Sequence, residues 1–283
     1  MKYPLGIQTF SEIRQENYLY VDKTALVHDL IDSGKVYFLS RPRRFGKSLL
    51  ISTFESLFAG HKALFTDLAI SKTDYDFAVY PVIKMEFSKD KMDNAALLIN
   101  YIETVIDDIA ERNNITLKDN THNLKFSELV VKLHEQTRRK AVLLIDEYDK
   151  PILNNLKNKP VLGEIKQVMS AFYAMVKSQD EHLRFVFITG VSKFAKVSIF
   201  SGMNSLTDLT MHKRYATLCG ITEQELTHYF DQPIAMLAEE EQMNMQQLLG
   251  KIKHWYNGYQ FHPRAVGVYN PFSLLSLFEF EEF

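Results

Sequence analysis

The stretch Leu39–Leu50 reads LSRPRRFGKSLL and separates two segments with different hydrophobic patterns. Before it, Val36–Leu39 is a short apolar run after Gly34, which predicts a buried β-strand. After it, apolar residues recur at the spacing of a helix: Leu50, Phe54, Leu57 and Phe58. Gly60 stands where such a helix is expected to stop. A strand, a loop ending in Gly-Lys-Ser and a helix are together typical of a phosphate-binding loop.

The end of this loop predicts how a nucleotide would bind. Backbone N–H groups at the helix N-terminus would face the phosphates, and the helix dipole would favour their charge. We expect Lys47 to reach the β- and γ-phosphates and the Ser48 hydroxyl to ligate Mg²⁺. The predicted nucleotide-binding residues are Arg43, Arg44, Phe45, Gly46, Lys47, Ser48 and Leu49.

The arginines of the loop admit more than one interpretation. Arg41 stands where the usual motif has a glycine, six residues before the lysine, but Gly46 is present beside the expected phosphates. Arg43 and Arg44 could contact phosphates, a neighbouring segment or nucleic acid, and short charged clusters are more often solvated or phosphate-facing loops. The net charge of −2 gives no global field that attracts nucleic acid.

A second apolar strand ends in two acids. Ala141–Ile145 is followed by Asp146 and Glu147. If this strand lies parallel and next to the phosphate-loop strand, Asp146 enters the magnesium shell together with Ser48. Glu147 would then orient or deprotonate an attacking water, which makes it the predicted catalytic base beside Lys47. The alternative is a strand that simply ends in solvated acids.

A polar residue after the strand Arg184–Ile188 is a further catalytic candidate. In ATPases of this architecture such a residue often faces the γ-phosphate. Thr189 and Ser192 both fit, and we favour Ser192. Arg214 is a weaker candidate for nucleotide contact.

The remaining pattern predicts the architecture. Pro81–Phe87 is a further predicted strand, and helical stripes cover residues 98–109, 126–133 and 165–176. Strands that alternate with helices predict a parallel α/β sheet covered on both faces. From about residue 211 the pattern is helical, so we predict a core at 1–210 and a helical subdomain at 211–283.

The composition is that of a soluble protein in a reducing compartment. Cys219 is the single cysteine, so no intrachain disulfide can form. No signal peptide or membrane-spanning run is recognisable, and we expect a cytoplasmic protein without membrane contact. Pro271–Phe283 reads as the start of a helix with Phe272, Leu275 and Phe278 on one side. We expect a further domain to follow it.

Several motifs together resemble the AAA-ATPase-like proteins of bacteria. The resemblance lies in RPRRFGKS at 41–48, IDEYD at 145–149, TGVSK at 189–193 and SIFSGMNS at 198–205. Segments near both ends are also similar to the family: LGIQTF at 5–10, YLYVDKT at 18–24, WYNGYQF at 255–261 and VYNPF at 268–272. The resemblance implies an ASCE-type P-loop core with a helical subdomain, and a PD-(D/E)XK nuclease-like domain beyond Phe283. In that family Arg41 is an ordinary loop residue.

The resemblance assigns other residues less firmly. Tyr20, Asp22 and Lys23 would lie near the base of the nucleotide or form a structural N-terminal segment. Four aromatic residues could form a surface for a partner or a base, although such clusters are more often core: Trp255, Tyr256, Tyr259 and Phe261.

The predicted function is therefore an ATP-binding, Mg²⁺-dependent P-loop protein that acts as an ATPase. It would couple nucleotide state to a partner, to a second copy of the chain or to a further domain. The alternatives are a nucleotide-gated regulatory module with negligible hydrolysis, a nucleic-acid-binding module and a small-molecule kinase. The Asp146–Glu147 pair suits water activation better than kinase chemistry.

Overall fold

The computed structural model describes residues 1–193, 199–200 and 202–283 and contains one parallel sheet. Its strands are β1 Val36–Ser40, β2 Val82–Glu86, β3 Ala141–Asp146, β4 Leu183–Gly190 and β5 Thr207–Asp208. The spatial order is β2-β3-β4-β1-β5, and each neighbouring pair is parallel. The four predicted strands are confirmed, whereas the two-residue β5 was not predicted. Ser198 and Ser201 of the SIFSGMNS motif lie outside the described residues.

One expectation about the sheet is wrong. We expected the strand of Asp146 to lie next to the phosphate-loop strand, but β4 lies between β3 and β1. Ser40 pairs with Gly190, and Ile145 pairs with Ile188. The three strands therefore end at nearly the same level, and the carboxyl edge of the sheet still brings the phosphate loop and the acids together.

The helices of the described residues cover both faces of the sheet and form a C-terminal group. They are α1 Phe10–Gln15, α2 Thr24–Ser33, α3 Lys47–Phe58, α4 Ala95–Arg112, α5 His122–Thr137, α6 Lys150–Asn154, α7 Lys159–Ser178, α8 Glu223–Tyr229, α9 Asp231–Glu240, α10 Met245–Tyr256 and α11 Pro271–Phe280. The helical stripes predicted from the sequence lie in α3, α4, α5 and α7, and the expected α/β P-loop fold with a C-terminal helical region is confirmed.

The two faces of the sheet bury separate hydrophobic clusters. Phe38, Leu143 and Val186 pack against α4, α5 and α7. Tyr37 and Leu144 point the other way, toward α2 and α3. Successive strand residues point to opposite faces, and both faces are covered, so the central strands are apolar throughout.

The C-terminal helices form a third cluster that includes N-terminal residues. Tyr3 stacks on Phe230 and lies 6.1 Å from it between ring centroids. The Lys23 ammonium binds the Glu225 carboxylate at 2.6 Å. Residues 1–23 thus join the helical region to the sheet. The domain border at residue 210 stays a prediction.

The last helix exists as predicted, but its buried side differs from the predicted one. Leu274, Leu277 and Phe278 are buried in the third cluster. Phe272 and Leu275 are only partly buried and lie beside the phosphate loop. Apolar residues occur nearly all round this helix, so their spacing does not select one face.

Among the helices of the described ranges, none has both the length and the hydropathy needed to cross a bilayer.

Candidate nucleotide-binding site

The phosphate loop runs from the end of β1 to the start of α3. Gly46 precedes α3 with φ of 86°, a left-handed conformation that glycine adopts without steric cost. Arg44 also has a positive φ, of 65°. Lys47 and Ser48 occupy the first turn of α3, where backbone N–H groups lack partners within the helix. The loop therefore ends at a helix N-terminus suited to an anion.

Lys47 is held inside the loop. Its Nζ atom donates hydrogen bonds to the carbonyl oxygens of Arg41, at 3.1 Å, and Pro42, at 3.0 Å. Burial lowers the pKa of Lys47, while the nearby charges of Asp146 and Glu147 oppose this effect. A lysine in this position has the reach to exchange two carbonyls for phosphate oxygens.

Arg41 is a buried structural residue. Its side chain is 1% exposed, and its Nη1 atom donates to the carbonyl oxygens of Ser40, at 2.9 Å, and Thr210, at 3.0 Å. Nη2 donates to the carbonyl oxygen of Tyr215, and the guanidinium lies 3.9 Å from the ring centroid of Phe261. Arg41 therefore joins the loop to residues 210–215 and to the C-terminal region.

Phe45 makes a second connection between the loop and the C-terminal region. Its ring centroid lies 4.7 Å from that of Tyr259 and 5.4 Å from that of Phe261, in edge-to-face contacts. Trp255, by contrast, is 65% exposed. The aromatic cluster predicted from the sequence is thus divided between loop packing and surface.

The acids at the end of β3 meet the end of β4. Asp146 is 2% exposed, and its Oδ1 atom accepts hydrogen bonds from the Thr189 hydroxyl and, at 3.1 Å, from the Glu147 N–H. Glu147 has a φ of 52°, a sparsely populated conformation for this residue type. The Tyr148 N–H donates to the Thr189 carbonyl at 2.9 Å. These contacts fix the chain where the two acids leave the strand.

Ser192 has a different environment from Thr189. Its hydroxyl and N–H both donate to Oδ2 of the buried Asp149, at 2.9 and 2.7 Å. Thr189, which was the second choice from the sequence, is the residue bonded to Asp146. The catalytic roles of both residues stay predictions. Arg214 pairs with Asp29 and lines neither cavity described below.

A cleft, here called the phosphate cleft, brings together most of the predicted site. It is lined by Arg43, Arg44, Gly46, Lys47, Ser48, Leu49 and Glu147. The N-terminal loop Pro4–Gln8 and the start of α11, with Phe272, form its other walls. Three cations and one carboxylate therefore face one cleft, which suits a polyanion. Neither the N-terminal loop nor Phe272 was predicted from the residues as part of the site.

A mainly apolar cavity adjoins the phosphate cleft. The two share Pro4, Gly46, Leu49, Pro271 and Leu275. Tyr20 and Lys23, expected near the base, line this cavity together with Cys219. Asp22 instead binds the Thr24 N–H and hydroxyl and the Ala69 N–H. No sequence signal pointed to the 218–221 segment, because its position depends on long-range packing.

The site contains oxygen ligands of the type that hold Mg²⁺ in P-loop NTPases. Such an ion takes one or two protein oxygen ligands and completes its shell with phosphates and water. Ser48 at the start of α3 and the buried carboxylate of Asp146 are ligands of this type. Among the described residues, no three His, Cys, Asp or Glu side chains form a metal-binding cluster of their own.

The chain matches a known protein family over most of its length. The family model described as "Predicted AAA-ATPase" matches residues 4–200. The "Uncharacterized protein in vnfD 5'region" of Azotobacter chroococcum mcd 1 is 40% identical over 284 residues, which cover 100% of this chain and 52% of that protein. The chain thus spans about half the length of this curated relative.

A solved structure shows a weaker similarity. The crystal structure of Cdc6p from Pyrobaculum aerophilum matches with a TM-score of 0.35 and 12% identity, over 69% of this chain and 41% of that chain. A TM-score of this size does not establish a shared fold.

Proposed function

Because this chain belongs to the family described as "Predicted AAA-ATPase", we propose that it binds ATP with Mg²⁺ in the phosphate cleft and hydrolyses it. The observation that carries the proposal is that Glu147, which follows β3, lines the same cleft as Lys47 and Ser48 at the start of α3. The cleft is continuous with an apolar cavity. A nucleotide has the matching form, an aromatic base joined through a ribose to a chain of charged phosphates.

The base would occupy the apolar cavity beside Tyr20, Leu49 and Cys219. Ligand pockets of this kind are mostly apolar, with a few polar groups that set orientation. The phosphates would then reach Gly46 and the first turn of α3. This arrangement uses both cavities with one ligand.

The chemistry follows from the positions of the side chains. Lys47 would leave the carbonyls of Arg41 and Pro42 and bind the β- and γ-phosphates. A magnesium ion held by Ser48 and Asp146 would neutralise charge on the phosphates. Glu147 would accept a proton from water as the water oxygen attacks the γ-phosphorus. The bond to the β-phosphate oxygen breaks, which yields ADP and inorganic phosphate.

The test measures nucleotide binding and phosphate release separately. Lys47→Ala should remove most nucleotide affinity, because it deletes the cation of the loop. Glu147→Gln should bind ATP normally and release phosphate at least about 100-fold more slowly, the scale of a lost general base. Glu181→Gln, at an exposed site on the 3₁₀ turn before β4, serves as the matched control. Hydrolysis by Glu147→Gln at the parent rate would show that Glu147 is not the base.

A nucleotide-gated regulatory module is the second candidate. It is favoured by the contacts of Arg41 and Phe45, which join the phosphate loop directly to the C-terminal region. Tight ATP binding with no measurable phosphate release would support it. Both candidate functions include coupling of the nucleotide state to a partner, to a second copy of the chain or to a further domain. Burial of Arg41 leaves the nucleic-acid hypothesis with only Arg43 and Arg44.

A further inference from the structure

Arg44 contacts the C-terminal helix at the mouth of the phosphate cleft. Its guanidinium carbon lies 4.0 Å from the ring centroid of Phe272, in the first turn of α11. Both side chains line the cleft that we assign to the phosphates. The ring of Phe272 and a bound triphosphate would therefore face the same cation.

Arg44 has two possible partners, the ring of Phe272 and a nucleotide phosphate, and it binds the ring more weakly. Arg44 is exposed, and no carboxylate among the described residues pairs with it. A cation on a partly exposed ring is held only weakly. A guanidinium on a phosphate forms charge-assisted, often bidentate hydrogen bonds, which are stronger and more directional. A triphosphate in the cleft would thus compete successfully for Arg44.

We propose that Arg44 exchanges the ring of Phe272 for a nucleotide phosphate and that this exchange loosens the first turn of α11. The proposal rests on the proposed function, because it requires a triphosphate in the cleft. It adds a route by which nucleotide occupancy reaches the C-terminal helix.

The packing of α11 explains why only its first turn would respond. Leu274, Leu277 and Phe278 are buried in the third cluster, so the body of the helix is fixed. The first turn is held by the Asn270 side chain, which accepts hydrogen bonds from the N–H groups of Phe272 and Ser273. Phe272 itself lies outside that cluster and stacks on Arg44.

Linkage predicts an effect on affinity as well as on the helix. If Arg44 must leave Phe272 before it binds phosphate, the contact opposes nucleotide binding. Removal of the ring should then raise ATP affinity by about two- to fivefold, the range set by a weak exposed cation–π contact. A ring that serves only as a wall of the cleft would not produce tighter binding when it is deleted.

The chain offers matched controls for both residues. Phe272→Tyr keeps the ring face, whereas Phe272→Ala removes it. Arg43 is also exposed and lines the same cleft, but among the described residues it stacks on no ring. Arg43→Ala therefore removes a cation from the cleft without breaking the contact to α11.

The experiment follows hydrogen–deuterium exchange of a peptide that begins several residues before Pro271 and covers 271–280, with and without Mg²⁺ and a non-hydrolysable ATP analogue. Without nucleotide, Arg44→Ala and Phe272→Ala should each speed exchange of the first-turn amides in this peptide by about two- to fivefold, while Arg43→Ala and Phe272→Tyr should not. Nucleotide should speed exchange in the parent and have little further effect in Phe272→Ala. Peptides from α10 serve as the internal reference.

Two results would overturn the proposal, and they are distinguishable from failure of the proposed function. Unchanged exchange of 271–280 in nucleotide-free Arg44→Ala would show that Arg44 does not hold α11. Equal ATP affinities of the parent and Phe272→Ala would show that the ring does not compete with phosphate. Absence of ATP binding to the parent would instead refute the proposed function and, with it, the exchange.

Discussion

The hydroxyl of Thr189 donates a hydrogen bond to the carboxylate of Asp146, across the adjacent ends of β4 and β3. Both residues are almost fully buried, and the Glu147 N–H also donates to the same carboxylate oxygen. The two strands thus fix the direction in which Asp146 and Glu147 leave the sheet.

Thr189→Val should destabilise the protein and impair catalysis together. Valine keeps the shape but leaves the buried Asp146 carboxylate without one donor, which costs about 1–2 kcal/mol. We expect slower phosphate release and a higher Mg²⁺ concentration at the half-maximal rate. The free energy of unfolding in denaturant is measured in parallel. Thr189→Ser keeps the hydroxyl and is the control. Full activity in Thr189→Val would show that Asp146 does not need this bond.

Gly190→Ala should be strongly disruptive although the backbone of Gly190 is ordinary. A Cβ atom there would lie 2.5 Å from ring carbons of Tyr148 and 2.9 Å from Oδ1 of Asp149. The overpacking should cost about 1–3 kcal/mol and displace the segment that carries Glu147. Gly250→Ala, at an exposed position within α10 with open space around it, should instead stabilise by about 0.5–1 kcal/mol. Thermal unfolding of both variants measures the contrast.

Arg41→Gly should lower the stability of the folded protein, although it restores the glycine of the usual phosphate-loop motif. It removes three hydrogen bonds to backbone carbonyls and the stacking on Phe261. We expect a loss of about 2–4 kcal/mol in the free energy of unfolding, because the charged donors leave buried carbonyls unpaired. Nucleotide affinity should not rise. A gain in affinity without loss of stability would contradict the structural role of Arg41.

Lys47→Met should abolish ATP binding and remove one pH-dependent contribution to the stability of the nucleotide-free protein. Burial lowers the pKa of Lys47 below that of an unfolded lysine, so the folded state releases this proton more readily. Stability of the parent therefore rises with pH between the lowered pKa and about 10.5. The stability of Lys47→Met relative to the parent should therefore fall as the pH rises through that window. Denaturant unfolding at several pH values measures this difference, and a constant difference would contradict it.

Much of the candidate site could be predicted from short stretches of the sequence. Val36–Ser40, Lys47 and Ser48 were predictable because strand, loop and helix are contiguous in the chain. Asp146 and Glu147 were predictable as strand-end acids, but the position of β3 was not. The order of strands depends on how the crossover connections run, and the spacing of apolar residues does not predict this.

The rest of the site depended on contacts between distant residues. The guanidinium of Arg41 binds carbonyls about 170 positions away, so its type and spacing could not show that it is buried. Phe272 was correctly predicted to lie in a helix, but it was placed on the buried side, whereas it lines the phosphate cleft. Thr189 binds Asp146 and Ser192 binds Asp149, and this difference in environment is visible only in the folded chain.

The ring contacts of Tyr3 with Phe230 and Phe278 have a consequence for biosynthesis. A ribosome that adds about 5–20 residues per second needs roughly 15–55 s between the first and the last of these rings. During that interval the surface on which Tyr3 packs is incomplete. Chaperones and proteases would meet the Tyr3 ring before α11 leaves the exit tunnel, so completion of α11 determines when this ring becomes fully covered.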